Sequence, residues 1–341
     1  MRLSQSILPA VALAIAVGGG AALAQQAAAP ADPIETALRA AKTFAGLDHT
    51  GTLAALCVLP ATGPGADTLP AYLAGAAPAR STWYADPAKV FDNLYFVGGS
   101  IHSAWALNTS DGIILIDTVY SYNSEELIVG GMTKLGLDPK LVKYVIITHG
   151  HGDHVGGAKL MQDRFGAKIV MGAADWDFIE QSKERFGTAD NSIKPRRDVV
   201  ATDGMKVTLG DTSVTLIATP GHTQGAFSLS FEVKDQGRPL MVAYSGGTAF
   251  NFVNTIANFQ TYIESQRRMA EMAERTKATV IMTNHSAYDN AVGKAQMVPG
   301  RKAGQPHPFE VGQDAVTRYF KTMEGCARVA QLKLEMAAKA N

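Results

Sequence analysis

Short apolar runs bounded by polar or glycine-containing stretches recur along the chain from Val90 onward. Residues 94–97, 113–116, 144–147, 214–217, 240–244 and 280–282 each fit a strand rich in β-branched and aromatic side chains. Phe227, Leu229 and Phe231 alternate with serines, a pattern that predicts a strand with one buried face. Helical segments lie between these runs. Asn123 with Glu126 three residues on resembles a capping pair ahead of Leu127 and Ile128, with Gly136 as the stop. Residues 157–165, 261–275 and 314–339 read as further helices. Strand and helix alternate, which predicts an α/β domain over 86–341. Upstream the texture differs: 25–33 is an Ala/Pro/Gln-rich leader, 34–45 a short helix, and 51–78 is Gly/Ala/Pro-rich with little periodicity. Residues 25–85 therefore form an N-terminal extension, packed on the domain or trailing from it. No internal repeat is visible.

The first 24 residues carry a different signal. Arg2, an apolar stretch over 7–17 and the small-residue site Ala22-Leu23-Ala24 have the layout of a secretory signal peptide cleaved after Ala24. The stretch is too short and too glycine-rich at Gly18-Gly19-Gly20 to be a stable membrane anchor. A periplasmic or secreted protein follows, in a compartment where thiols can oxidise. The two cysteines, Cys57 and Cys326, then either pair, tying the extension to the domain, or stand as isolated thiols.

Composition narrows the partners. With 341 residues, 46% hydrophobic and 18% charged, the chain is globular in type. Lys plus Arg is 31 and Asp plus Glu is 31, so nothing in the charge favours nucleic acid or an anionic membrane. A small-molecule substrate is the expectation that remains.

The chemistry is concentrated in the histidines. Three of eight fall in His149-Gly150-His151-Gly152-Asp153-His154, directly after the strand ending at Ile147-Thr148. A strand end is a rigid platform, and imidazole with carboxylate is a ligand set for a borderline dication such as zinc. One ion cannot readily use all four side chains of so short a loop. Two can, if His149 and His151 face one ion and Asp153 and His154 the other. His222 in Pro220-Gly221-His222-Thr223 and His285 in Asn284-His285 also follow strands, which recruits them to the same set. His49, His102 and His307 lack such a setting and read as surface or core histidines.

Thr148-His149-Gly150-His151-Gly152-Asp153-His154-Val155-Gly156-Gly157 resembles the signature of the metallo-β-lactamase superfamily. Ile116-Asp117-Thr118, Thr219-Pro220-Gly221-His222-Thr223 and Asn284-His285 recur in the family's order, and the similarity extends over roughly 85–335 from Asn93-Leu94-Tyr95-Phe96-Val97-Gly98. The chain looks most like the dizinc subclass B3. The resemblance implies a four-layered αβ/βα sandwich with two zinc ions per chain at one rim. By it, one zinc takes His149, His151 and His222, and the second takes Asp153, His154 and His285. It also implies a metallo-hydrolase that opens a β-lactam through zinc-activated water, with a lactonase or esterase of the same fold as the alternative. Asp153 would bind the second zinc and orient the nucleophile, and Asp117 would support the ligands from behind. Ser245 stands where glyoxalases and lactonases of the superfamily carry a metal-bridging Asp, a difference that favours imidazole-rich zinc sites. Tyr244 replaces an Asp common in B3 enzymes, Gly246-Gly247 replaces a segment that often carries a substrate-binding serine, and Ser286 replaces a proline. Tyr244 and Ser245 are accordingly expected to flank the substrate pocket.

The signal-peptide reading makes Gln25 the mature N-terminus. Mass spectrometry of the exported protein should find it there, and an intact Met1 on exported protein would refute cleavage.

Overall fold

The computed structural model describes residues 32–58, 77–181, 194–249, 255–302 and 304–340. The signal-peptide segment, the leader up to residue 31 and most of 51–78 lie outside the described residues. Seven strands form the first sheet in sequence order: β1 (Ala88–Lys89), β2 (Leu94–Phe96), β3 (Trp105–Thr109), β4 (Gly112–Ile116), β5 (Val142–Ile146), β6 (Lys168–Gly172) and β7 (Val199–Ala201). It is antiparallel from β1 to β4 and parallel from β4 to β7. The second sheet runs β12-β11-β10-β9-β8, from β8 (Lys206–Leu209), β9 (Thr212–Ala218), β10 (Phe227–Asp235), β11 (Arg238–Ser245) and β12 (Val280–Thr283). Only its β11–β12 pair is parallel.

Side-chain alternation builds the layers. In β4, Ile114 and Ile116 join Phe96, Trp105, Leu229, Phe231, Val242 and Met282 in a core between the two sheets. Ile113 and Leu115 point the other way, against Leu127, Met132, Met161 and Trp176. The second sheet's outer face, with Ile217, Ala243 and Ile281, is covered by Phe259, Tyr262, Tyr319 and Phe320. The longer helices are α1 (Pro33–Ala45), α2 (Ala158–Phe165), α3 (Ala173–Gln181), α4 (Ile256–Thr276) and α5 (Gln313–Ala340). The result is the predicted αβ/βα sandwich. Because both faces of the central strands are buried, they read as continuous apolar runs. Among the described residues no helix is long and apolar enough to cross a membrane.

Two local expectations are corrected. Ser228 and Ser230 of β10 are as buried as the hydrophobic residues they alternate with, because α4 and α5 cover that face. Ser228 keeps its polar atom satisfied by bonding the Thr219 hydroxyl at 2.9 Å and the Gly246 N–H at 3.2 Å. Asn123 does not cap a helix: the turn that follows, Glu125–Gly130, is π-type without a side-chain cap, and the Asn123 Oδ1 has no hydrogen-bond partner. Strands β1, β3, β6, β7 and β8 were absent from the hydropathy pattern. They are short or half-exposed, or, like the Ile-Val-Met of β6, too short an apolar run to tell from a buried helix turn.

From Pro33 onward the extension is part of one compact unit with the domain. The α1 helix and the turn after it lie against α5. Arg318 bonds Asp48 and, at 3.0 Å, the Phe44 carbonyl; His49 Nε2 donates to the Ala315 carbonyl at 2.7 Å. His307 stacks on Phe91 and donates to the Val90 carbonyl. Both are core histidines with satisfied rings.

Cys57 and Cys326 form a disulfide that closes a 269-residue separation. Titration of the unfolded, unreduced protein should therefore find no free thiol. Chain-entropy arithmetic for so long a loop allows Cys57→Ser with Cys326→Ser to cost about 2–5 kcal/mol in chemical denaturation. An unchanged midpoint would show that the packing of α1 on α5 suffices alone.

Candidate metal centre

Strand ends deliver the site. β4 and β5 are parallel with Ile116 beside Ile146, so Asp117 and the Thr148-His149 segment emerge together at one rim. β11 and β12 are parallel with Ser245 beside Thr283, which places Gly246 next to Asn284-His285. His222 follows β9 on the turn Pro220-Gly221. Gly221 has φ +133°, and a Cβ there would lie 2.7 Å from the Tyr262 Cα, so α4 can approach only a glycine. Gly246 is tighter still, since its Cβ would fall 1.8 Å from the Phe227 carbonyl oxygen.

In the first cluster, His149 Nδ1 donates to the Gly246 carbonyl at 2.9 Å and His222 Nδ1 donates to that of Ala249. Each ring therefore turns a bare Nε2 lone pair inward. Those two Nε2 atoms are 3.0 Å apart, and His151 Nδ1 is 3.0 Å from His222 Nε2. Burial, joined by the charges of neighbouring imidazoles, holds His149 and His222 well below the usual histidine range, so neither readily takes a proton to relieve the contact. The two facing Nε2 lone pairs of His149 and His222 repel unless a cation sits between them, and His151 Nδ1 is placed to join it. The donor set fits zinc.

The second cluster is centred on Asp153. Its Oδ2 lies 3.1 Å from His154 Nε2, 3.1 Å from His285 Nε2 and 3.4 Å from His102 Nε2. His154 Nδ1 donates to Asp117 Oδ2 at 3.0 Å, and its buried Nε2 is left without a hydrogen-bond partner. His285 Nδ1 donates to the Thr248 hydroxyl, which donates to Asn284 Oδ1; Asn284 in turn donates to the Gly246 carbonyl. That relay links the two clusters. Burial would raise the Asp153 carboxyl, but His154 and His285 outweigh it and hold it well below the usual carboxylate range. Burial would lower His154, but Asp153 and Asp117 outweigh it and lift the ring to about 10. Without another cation a proton on His154 supplies the positive charge between two carboxylates, and a metal ion would take its place. Burial drives His102 the other way, to about 3, against the pull of Asp153.

All six predicted ligands, His149, His151, His222, Asp153, His154 and His285, lie at this rim: the ligand atoms of His149, His151 and His222 fall within 4.8 Å of one another, as do those of His149, Asp153 and His154, and His285 Nε2 is 3.1 Å from Asp153 Oδ2. Asp117 sits behind them. It accepts from the Thr148 N–H and hydroxyl, both at 2.8 Å, in addition to His154. Asp117 and Val119 have φ near +57° and +51°, left-handed backbone that for a β-branched valine is strained and is held only by its surroundings. Tyr244 and Ser245 do not flank a pocket. Tyr244 is 0% exposed and Ser245 2%, because consecutive β11 side chains enter the cores on the two faces of the second sheet.

Two functional positions escaped the sequence reading. His102, assigned there to surface or core, belongs to the second cluster; it follows β2 by a turn, and only the antiparallel bridge to His285 reveals its place. Asp175, on α3, is buried and accepts from the Gly150 N–H, the Thr223 hydroxyl and the Gly225 N–H. It ties the His149–His154 loop to the His222 loop, yet in sequence it is one aspartate on a helix. Burial raises its carboxyl above the usual range.

Comparison with known proteins agrees with this geometry. A family model described as the metallo-beta-lactamase superfamily matches residues 97–235. A hydroxyacylglutathione hydrolase of Acidiphilium cryptum is 36% identical over 206 residues, 56% of this chain and 76% of that protein. An N-acyl homoserine lactonase of a Bacillus species is 26% identical over 52% of this chain and 78% of its own length. Among solved structures, BJP-1, a subclass B3 metallo-beta-lactamase of Bradyrhizobium japonicum, superposes with TM-score 0.58 at 26% identity, covering 76% of this chain and 98% of that one. The FEZ-1 metallo-beta-lactamase of Legionella gormanii gives TM-score 0.63 at 24% identity over 74% and 97%. With its fold, its signature loops and its clustered metal-binding groups, this chain belongs to the metallo-beta-lactamase superfamily and is a metallo-hydrolase.

Proposed function

We propose that the protein is an exported dizinc hydrolase of the subclass B3 type that opens β-lactam rings. The observation that carries this reading is two imidazole-rich clusters sharing one rim with Ser245, not a carboxylate, at the end of β11. Two zinc ions held there would supply Lewis acidity and a water acidified toward a pKa of ~7. His149, His151 and His222 would hold the first; Asp153, His154 and His285 the second.

The remaining work falls to this chain's own side chains. Asp153 is the one anionic group in the proposed ligand set and is partly exposed, so its carboxylate can orient the attacking water toward a carbonyl carbon. Asp117 holds the His154 Nδ1 proton, and the Gly246 and Ala249 carbonyls hold those of His149 and His222, which keeps these three imidazoles pre-aimed. The mouth is aromatic: Tyr120 and Tyr122 stack at 5.4 Å on the Asp153 side, and Phe178 lies edge-on to His151 at 6.1 Å. Such walls suit a substrate with an apolar acyl substituent. The export reading is supported by the signal-like N-terminus together with the disulfide.

A second reading, a lactonase or thioesterase, is favoured by the names of the curated relatives. Assays of zinc-loaded protein against β-lactams, N-acyl lactones and glutathione thioesters decide between them. β-Lactam turnover with the others slower is expected; thioester or lactone hydrolysis alone would overturn the lactamase assignment.

Asp153→Asn should lower kcat at least about a hundredfold, roughly 2.7 kcal/mol of barrier, and similarly for amide and ester substrates, since both need the same nucleophile. Asp117→Asn keeps the shape behind His154 but removes the charge, and should weaken retention of the second zinc about 10- to 100-fold in chelator competition while the first is retained. Full activity of Asp153→Asn with both metals bound would contradict the mechanism.

A further inference from the structure

His102 stands outside the ligand set that the resemblance implies, yet it is built into the second cluster. Its Nε2 is 3.4 Å from Asp153 Oδ2, the same oxygen that His154 and His285 approach at 3.1 Å. Its ring centroid is 5.2 Å from that of His285 and 6.3 Å from that of His154. The ligand atoms of His102, Asp153 and His285 all fall within 4.8 Å of one another.

The backbone holds it there. His102 and His285 form an isolated antiparallel bridge, with the Ser103 N–H donating to the Asn284 carbonyl at 2.9 Å and the Ser286 N–H to that of Ile101 at 2.8 Å. The turn carrying His102 closes on itself through the Gly99 N–H to the His102 carbonyl, at 2.8 Å. A Cβ on Gly98 would meet the Ala104 nitrogen at 2.5 Å, so the turn can fold this tightly only over a glycine. On its outer side the imidazole rests edge-on against Tyr120, 5.0 Å between centroids. The side chain is 18% exposed, and its tip faces inward.

Three imidazole nitrogens cannot all donate to one carboxylate oxygen, which offers about two in-plane lone pairs. His285, and His154 in its neutral form, also present Nε2 as an acceptor, because each uses Nδ1 as donor, to Thr248 and Asp117 respectively. A single cation facing Asp153 Oδ2 and three Nε2 lone pairs resolves the arrangement.

We infer that His102 is a fourth protein ligand of the second metal ion, so that this ion is held by His102, Asp153, His154 and His285. The inference rests on the dizinc reading above. Four protein ligands would satisfy a tetrahedral zinc, whereas the three imidazoles of the first cluster would leave a zinc one open position.

The test counts metal and ligands without turnover. Wild type and His102→Ala are stripped, shown to fold by thermal melting, and titrated with zinc against a chromophoric chelator. The second equivalent should bind at least about 10- to 100-fold more weakly in the variant, the first unchanged, because losing a direct ligand should cost no less than losing a supporting partner. Imidazole added to His102→Gly should restore the second equivalent in part. X-ray absorption of the dizinc wild type, which needs no variant, should fit six imidazoles over two ions. Five imidazoles in wild type, or equal second-site affinity in His102→Ala, would overturn the inference. A wild type that binds no second equivalent would instead refute the dizinc reading on which it stands.

Discussion

The structure is organised around an electrostatic demand: nitrogen lone pairs and a carboxylate oxygen held about 3 Å apart at one rim of a sandwich. Such an arrangement is unstable by itself. His154 relieves part of it by carrying a proton between Asp153 and Asp117, but His149 and His222 are buried too deeply to do the same. The fold must therefore hold these groups together against their own repulsion, and that rigidity is what allows a cation to be bound without rearrangement.

That rigidity comes from hydrogen bonds one layer back. Backbone carbonyls at Gly246 and Ala249, the Asp117 carboxylate and the Thr248 hydroxyl each fix one imidazole by its outer nitrogen. Asn284 connects the two clusters through Gly246, and Asp175 clamps two ligand loops that come from different sheets. The strained backbone at Asp117 and Val119 is tolerated because the Thr148 and His154 contacts over-determine it. The strained backbone of Asp117 and Val119, the close contacts of Gly221 and Gly246 and the buried carboxylates of Asp117 and Asp175 meet at this rim.

The N-terminal extension solves a separate problem. The outer face of the second sheet needs cover, which α4 and α5 supply, and α5 in turn leaves apolar surface that α1 and the Cys57 segment bury. The extension thus completes a layer on the far side of the sheet from the first sheet's helices. Among its described residues, Thr52 reaches the site region by donating to the Tyr288 carbonyl, three residues beyond His285.

The strands that span the sandwich and the six expected ligands were legible in sequence because their signals are local. Continuous apolar runs follow from burial on both faces, and His-x-His-x-Asp-His places four donors within six residues. What only the tertiary structure decided is non-local. His102 has no neighbouring motif and becomes part of the cluster through one backbone bridge to His285, far away in sequence. Asp175 looks like any helical aspartate until three donors from two loops close on it. Tyr244 and Ser245 lie at the right point in the chain to flank a pocket, yet strand pleating sends both into cores. The pairing of Cys57 with Cys326 depends on α1 folding back against α5, which no local pattern encodes. Local periodicity and spacing determine which elements and donors exist; which donors meet depends on how strand ends and turns from distant parts of the chain converge in space.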